Sequence, residues 1–216
     1  MKAPAYNLRA IGLADAAALV AEHHGYGGMA NTAVAVYGVL ERSRVVAAYV
    51  WMPAAPGTAM KLCPSAPGAA LALSRMVAVP RDERELRHVS TPLRRQMRVI
   101  LDRGRWPVLV TYSDESQGHT GHVYRCSGWQ PAGRVKRPAF EDADGRRVSS
   151  YRAGSHNFTG LTRVDDVWLQ RWEHRVCPVG DERVWMEAHG WSYAHGGRAK
   201  WAQRPMGLFD GAEVVA

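Results

Sequence analysis

Residues 108–129, VLVTYSDESQGHTGHVYRCSGW, decide the fold. Val108-Leu109-Val110-Thr111-Tyr112 is a short apolar run rich in β-branched and aromatic side chains, the composition of a buried strand. Ser113-Asp114-Glu115-Ser116 cannot continue that strand in an apolar interior and supplies oxygens suited to capping a helix. Gln117–Ser127 reads as a short helix, closed by Gly128, with Trp129 opening another strand. Asp114, His119, His122 and Tyr124 are thereby gathered at a strand end and on the following helix. In open α/β sheets that end is where ligands sit. A plainer reading competes with it, in which Asp114 caps the helix and the two histidines lie on its surface.

Upstream, Thr91-Pro92 has the form of an N-cap followed by proline at the first helical position. Leu93, Met97, Ile100 and Leu101 then make one apolar stripe, so a helix is expected over Leu93–Arg103, ended by Gly104. Arg94, Arg95, Arg98 and Arg105 fall mostly on its other side. Ala69–Val79 is an apolar run interrupted by Ser74-Arg75. An arginine there needs an anion or carboxylate, or else packs its stem and reaches water with its head. Ala33–Leu40 and Val45–Met52 are strands joined through Glu41–Arg44 as a hairpin, and Pro53–Gly68 reads as a loop. Leu13–His24 is an amphipathic helix. It runs into His23-His24-Gly25-Tyr26-Gly27-Gly28, where histidines beside glycines either hold a metal or phosphate or simply end the helix.

Downstream, Val135–Ser150 is a hairpin-like excursion turning at Asp144-Gly145. Tyr151–Val164 reads as a basic loop, Val167–Val176 as a last strand or helix, and Trp185, Trp191 and Trp201 lie among glycines. The three isolated cysteines fit neither a disulfide framework nor a zinc site. No run approaches the ~18 apolar residues of a membrane span, and no signal-peptide pattern is seen. A cytoplasmic protein without a membrane partner is expected. Charge is uneven: residues 1–134 carry 16 Lys+Arg against 9 Asp+Glu, and nine arginines fall within Arg75–Arg105. Such a focus attracts polyanions, or is an ordinary solvated surface.

The order strand, strand, strand, basic helix, strand, short helix, strand is that of a GNAT acyltransferase core. Tyr124-Arg125-Cys126-Ser127-Gly128-Trp129 resembles the GNAT pattern Tyr-x-x-x-Gly-Phe, with Trp for Phe. A closer resemblance is to the bacteriophage Mom family of GNAT-like DNA-modifying proteins. It is carried by His23, His24 and Tyr26 (with Gly25 inserted), by Leu73-Ser74-Arg75, and by Tyr112, Asp114, Gly118, His119, Gly121, Tyr124, Ser127 and Trp129. It covers about residues 13–134. One departure matters: the glycine-rich pyrophosphate loop of the GNAT pattern, Gln/Arg-x-x-Gly-x-Gly/Ala, is replaced by Arg84–Thr91, which has no glycine. That speaks against ordinary acetyl-CoA use, which the superfamily would otherwise imply, although the N-terminus of the Leu93–Arg103 helix could still hold an anion.

The resemblance implies an α/β fold, a GNAT-like mixed central sheet flanked by helices. Residues 1–134 would be the catalytic core, and residues 135–216 an irregular, aromatic-rich extension that completes the sheet, contacts DNA, or both. It implies transfer of a carbamoylmethyl-type group to N6 of adenine in double-stranded or locally unpaired DNA. Asp114 would be the base or amine-orienting carboxylate, Tyr124 the acid or donor-orienting phenol, and His119 a support to either. Arg75 would hold the donor, while His23, His24, Tyr26, Tyr112 and Ser127 would line the donor or substrate site. Arg94, Arg95 and Arg98 would contact DNA. The donor is not identified, and no metal is expected, His23 and His24 being the candidates if there is one. Two other classes compete: a conventional GNAT N-acetyltransferase acting on a small-molecule or protein amine, and a non-enzymatic DNA-binding module.

Overall fold

The computed structural model describes residues 6–25, 32–145, 147–148, 160–194 and 200–202. The strands are β1 Asn7–Ala10, β2 Ala35–Glu41, β3 Arg44–Pro53, β4 Ala70–Ala78, β5 Val108–Asp114, β6 Gln130–Glu141, β7 Arg147–Val148 and β8 Thr162–Arg175. They form one sheet in the order β1-β2-β3-β4-β5-β8-β6-β7. The helices are α1 Leu13–His23, α2 Pro56–Leu62, α3 Ser90–Asp102, α4 His122–Cys126 and α5 Glu182–Ala188. A separate antiparallel ribbon joins β9 Ser192–Ala194 to β10 Lys200–Ala202.

Sheet neighbours pair antiparallel except β4 and β5, whose parallel ladder holds only Ala70–Ala72 against Val108–Val110. Both strands run on past that ladder, to Ala78 and Asp114. At the point of divergence Thr111 Oγ1 donates to Leu73 O at 3.0 Å, a side chain standing in for the next backbone rung. A four-stranded antiparallel half, a parallel β4–β5 pair that splays, and the basic helix α3 crossing between them make the GNAT-like arrangement. Beyond Ala72 and Val110 no further backbone pairing joins the two strands.

Period-two alternation sorts the side chains onto two faces. On one, Trp51 Nε1 donates to Gln96 Oε1 at 3.0 Å and Tyr49 Oη donates to Val89 O at 2.8 Å, which seats α3. Trp129, just after α4, stacks on Trp51 at 6.3 Å. On the other face Gly38 pairs with Ala48, and a Cβ on Gly38 would stand 2.7 Å from the Ile11 side chain. That missing Cβ lets the chain entering α1 lie against the sheet. Ala59, Leu62 and Met186 bury Val108 and Val110 on this same face, so α2 and α5 cover its centre.

Several expectations need correction. The expected Gln117–Ser127 helix is a 3-10 turn at Glu115–Gln117 followed by the five-residue α4. Gly118 and Gly121 stand between them at φ 72° and 69°, a left-handed backbone that breaks a continuous helix. A Cβ on Gly121 would also lie 2.0 Å from the Trp172 ring. The third helix starts at Ser90, with no side-chain cap from Thr91. Pro53–Gly68 is not all loop, because Pro56 at the first helical position opens α2. Of the two readings of Val167–Val176 the strand holds: residues 167–175 lie in β8, which threads between β5 and β6. Strand β1 went unread in the sequence because only Leu8 of its four residues is buried, which leaves no alternation to see.

Candidate active site

Tyr124 lies buried at the splay. Its ring packs edge-on against Trp129 at 5.9 Å and beside Trp172 at 5.8 Å, and its phenol hydrogen-bonds with Thr111. Burial pushes that phenol above its ordinary value, only partly offset by Thr111, so it stays protonated across neutral pH.

Asp114 is as buried as Tyr124, at 4% against 7% exposure, but it faces elsewhere. It continues the parity of Val108, Val110 and Tyr112, on the α1 face of the sheet, whereas Thr111 and Ser113 share the face of Tyr124. Its carboxylate accepts from Ser116 N at 2.9 Å and Ser116 Oγ at 2.6 Å, capping the 3-10 turn. Its carbonyl accepts from His119 N at 3.3 Å. The structure therefore does not bring Asp114 and Tyr124 into one pocket. The expectation that they converge failed on strand alternation.

A cavity of about 390 Å³ opens on the Tyr124 side of the sheet, just past the end of β5. Ser113, Glu115, His119, Arg125, Gln170 and Trp172 are among the residues that line it. The size is within the range of cavities that take small molecules. Trp172 forms a wall, held by its Nε1 donating to Ser113 Oγ at 2.9 Å, with the Arg125 guanidinium 5.5 Å from its ring centre. Glu115 supplies the carboxylate here, paired with Arg134 at the rim. His119 and Glu115 line the same cavity, whereas Asp114 does not. Tyr124 sits one ring behind, against Trp172. Sequence reasoning missed Glu115, Gln170 and Trp172. The consecutive Asp114-Glu115 pair was the available signal, since adjacent residues at a strand end must face opposite ways.

The remaining expected residues are dispersed. An extra residue in β4 at Ser74, opposite the Val50–Trp51 step, turns Arg75 to the α1 face, where its Nη1 donates to Ser74 O at 2.8 Å. His23 lies 3.5 Å from Glu22 Oε1, and His24 closes α1 through its N–H to Val20 O at 3.0 Å. The turn after them approaches the 3-10 turn, since a Cβ on Gly25 would be 2.9 Å from Gln117 Oε1. Tyr26, Gly27, Gly28 and the Tyr151–Phe158 stretch lie outside the described residues. Tyr112 packs on the α1 face under Arg137, 5.3 Å from its ring centre. Ser127 Oγ lies within donating distance of Val123 O at 2.8 Å and Ser90 O at 3.2 Å, tying α4 to α3 rather than facing a ligand. Among the described residues no group of three or more His, Cys, Asp and Glu could hold a metal ion. Among them, too, no helix is long and apolar enough to cross a membrane.

The arginine cluster also divides by task. Arg84 donates to Val79 O at 3.0 Å and to Leu86 O, Arg94 to Cys126 O, and Arg105 to Gly68 O at 3.0 Å. Burial beside Trp106 and Trp191 lowers Arg105 to about 10. These guanidiniums hold loops and helix ends in place. Arg95 lies 6.0 Å from the Tyr6 ring centre, and Arg98 is exposed on α3.

Compared with known proteins, residues 5–179 match the Mom protein family. The chain belongs to that family. No curated protein matches. Among solved structures, the ribosomal-protein-S18-alanine N-acetyltransferase from Escherichia coli is similar at 12% identity, covering 82% of this chain and 97% of that one with a TM-score of 0.47. A Bacillus subtilis acetyltransferase in complex with CoA matches at 8% identity over 80% and 98% of the two chains, TM-score 0.48. A GNAT family acetyltransferase from Elizabethkingia anophelis with acetyl-CoA bound matches at 8% identity over 80% and 99%, TM-score 0.46.

Proposed function

We propose that this chain is a Mom-type transferase that adds a carbamoylmethyl-type group to N6 of adenine in DNA. The observation that carries the reading is the cavity beyond β5, lined by an imidazole, a carboxylate and an indole wall with a protonated phenol behind it. The exocyclic amine is a weak nucleophile because its lone pair is delocalised into the purine. It needs placement, a proton acceptor, and stabilisation of charge on the donor. In duplex DNA the base must first leave the stack, and Trp172 with Arg125 offers the flat wall that an extruded base would meet. His119, in the same cavity lining as Glu115, is assigned to take the N6 proton. Tyr124, at the splay, is assigned to orient the donor or give its proton to the leaving group. Asp114 acts as a positioning residue, since its cap fixes the turn that carries Glu115 and His119. Arg75, on the α1 face of the sheet, is given no part in this reaction.

The reading is tested by mass spectrometry of nucleosides from the DNA of cells expressing the protein. A mass-shifted deoxyadenosine is expected. His119→Ala should cut its yield about 10²-fold, the scale of a lost acid–base group. Folded wild-type protein that binds DNA without any mass shift would leave only a binding module. Reversing Arg94, Arg95 and Arg98 to Glu should weaken DNA binding and flatten its salt dependence by up to about three phosphate contacts. Circular dichroism must accompany that variant because Arg94 also holds the end of α4. An unchanged affinity in a folded variant removes α3 from the DNA surface.

A further inference from the structure

We infer that the donor of this transferase carries no diphosphate handle of the CoA kind, because Glu41 supplies from within the chain the anion that the β4–α3 connection would otherwise bind. The inference rests on the transferase reading of the fold but not on the identity of the acceptor. A CoA thioester on this fold would place its diphosphate against the connection between β4 and α3, which must then offer backbone N–H groups without obstructing side chains.

The connection here is occupied by the protein itself. Glu41 ends β2 at the tip of the β2–β3 hairpin, and the residue is 8% exposed. Glu85 N donates to its Oε2 at 2.7 Å, and Leu86 N donates to its Oε1. Two adjacent N–H groups gripping the two oxygens of one anion is the geometry a phosphate would use. The Leu86 side chain is 4% exposed and fills the space beneath. Arg84, the cation at the start of the stretch, turns inward to Val79 O and Leu86 O. Nearer the helix, Thr91 N donates to His88 O at 3.2 Å, Leu93 N to Val89 O at 3.4 Å, and Val89 O accepts Tyr49 Oη at 2.8 Å. Arg87 and Val89 stand where the GNAT pattern has its glycines, and α4 closes the first turn of α3 through Ser127 and Arg94. A diphosphate at residues 84–86 would thus meet a fixed carboxylate, two N–H groups already given to it and bulky side chains together. The residues present do not fit CoA.

Two measurements test this. Isothermal titration of CoA and acetyl-CoA into the wild-type protein should give no saturable heat up to millimolar concentration, and neither should raise Tm. Saturable binding of either would overturn the inference. Independently, Glu41→Ala should lower Tm, and inorganic phosphate, compared with chloride at matched ionic strength, should restore the variant by several degrees more than it shifts the wild type. Equal shifts would show that those N–H groups do not form an anion cradle. Should the alanine variant not fold, Glu41→Gln keeps the acceptor without its charge and should show the same phosphate preference in weaker form. The outcomes separate from the adenine reading: modified DNA together with CoA binding sinks the donor inference alone, and unmodified DNA without CoA binding sinks the substrate reading alone.

Discussion

Tyr124→Phe is expected to abolish most modification while leaving the protein folded. The ring keeps its packing on Trp129 and Trp172, so no cavity opens. What is lost is one hydrogen bond to Thr111, worth about 0.5–1.5 kcal/mol. Thr111 keeps its donation to Leu73 O, so the mouth of the splay should hold its shape. Losing a positioned acid at the donor costs about 10²–10⁴-fold in rate, and DNA affinity should barely move, because the phenol lies behind Trp172. Modified deoxyadenosine per unit of protein and Tm, read together, decide the matter. A variant as active as the wild type would remove Tyr124 from the chemistry.

The direction of the phenol's shift gives a second reading of the same residue. Burial holds the proton on Tyr124 to higher pH than in an exposed tyrosine. The acid form is complete below the folded value and is lost only as pH rises through it. Wild-type turnover should therefore show no alkaline limb from this group at or below pH ~10, the ordinary tyrosine value. A fall that tracks an ordinary phenol would mean that the catalytic acid is another group.

Elements whose burial pattern is local were legible in the sequence. The stripe Leu93, Met97, Ile100 marks α3, the two apolar runs joined by the polar Glu41–Arg44 mark the β2–β3 hairpin, and the β-branched run marks β5. The site was legible only in part, because its geometry depends on which way each residue faces at one strand end. Asp114 and Glu115 are neighbours in the chain, yet one caps a turn and the other lines the cavity. Gly118 and Gly121 looked tolerable in a short helix, but Gly121 also has to make room for the Trp172 ring, a partner 51 positions away that local propensity cannot reveal. Glu41 read as a hairpin residue, and nothing near it in sequence announces the N–H pair of residues 85 and 86.

Glu182→Ala should destabilise the protein most among single changes away from the site. Glu182 is fully buried, and its carboxylate accepts from Ser65 Oγ at 2.6 Å, Arg175 Nη1 at 2.9 Å and Gly180 N at 3.0 Å. It ties α5 to the segment after α2 and to the end of β8, beneath the centre of the sheet. Removing it leaves the Arg175 guanidinium, only 19% exposed, with its hydrogen bond to Leu62 O but without the Glu182 counter-charge, and a broken buried pair costs about 3–5 kcal/mol. At about 2–4 °C per kcal/mol for a chain of this size, Tm should fall by roughly 6–20 °C. Burial pushes this carboxyl up, but the hydrogen bonds from Ser65, Gly180 and Arg175 outweigh it and leave the group below its usual range. Its stabilisation is therefore complete above the unfolded carboxylate value and is lost as pH falls through the lower folded one. Thermal melts of wild type and variant should differ most near neutral pH and converge in acid. A gap that persists unchanged at pH ~3 would mean that packing of α5, not the charge of Glu182, holds this corner of the fold together.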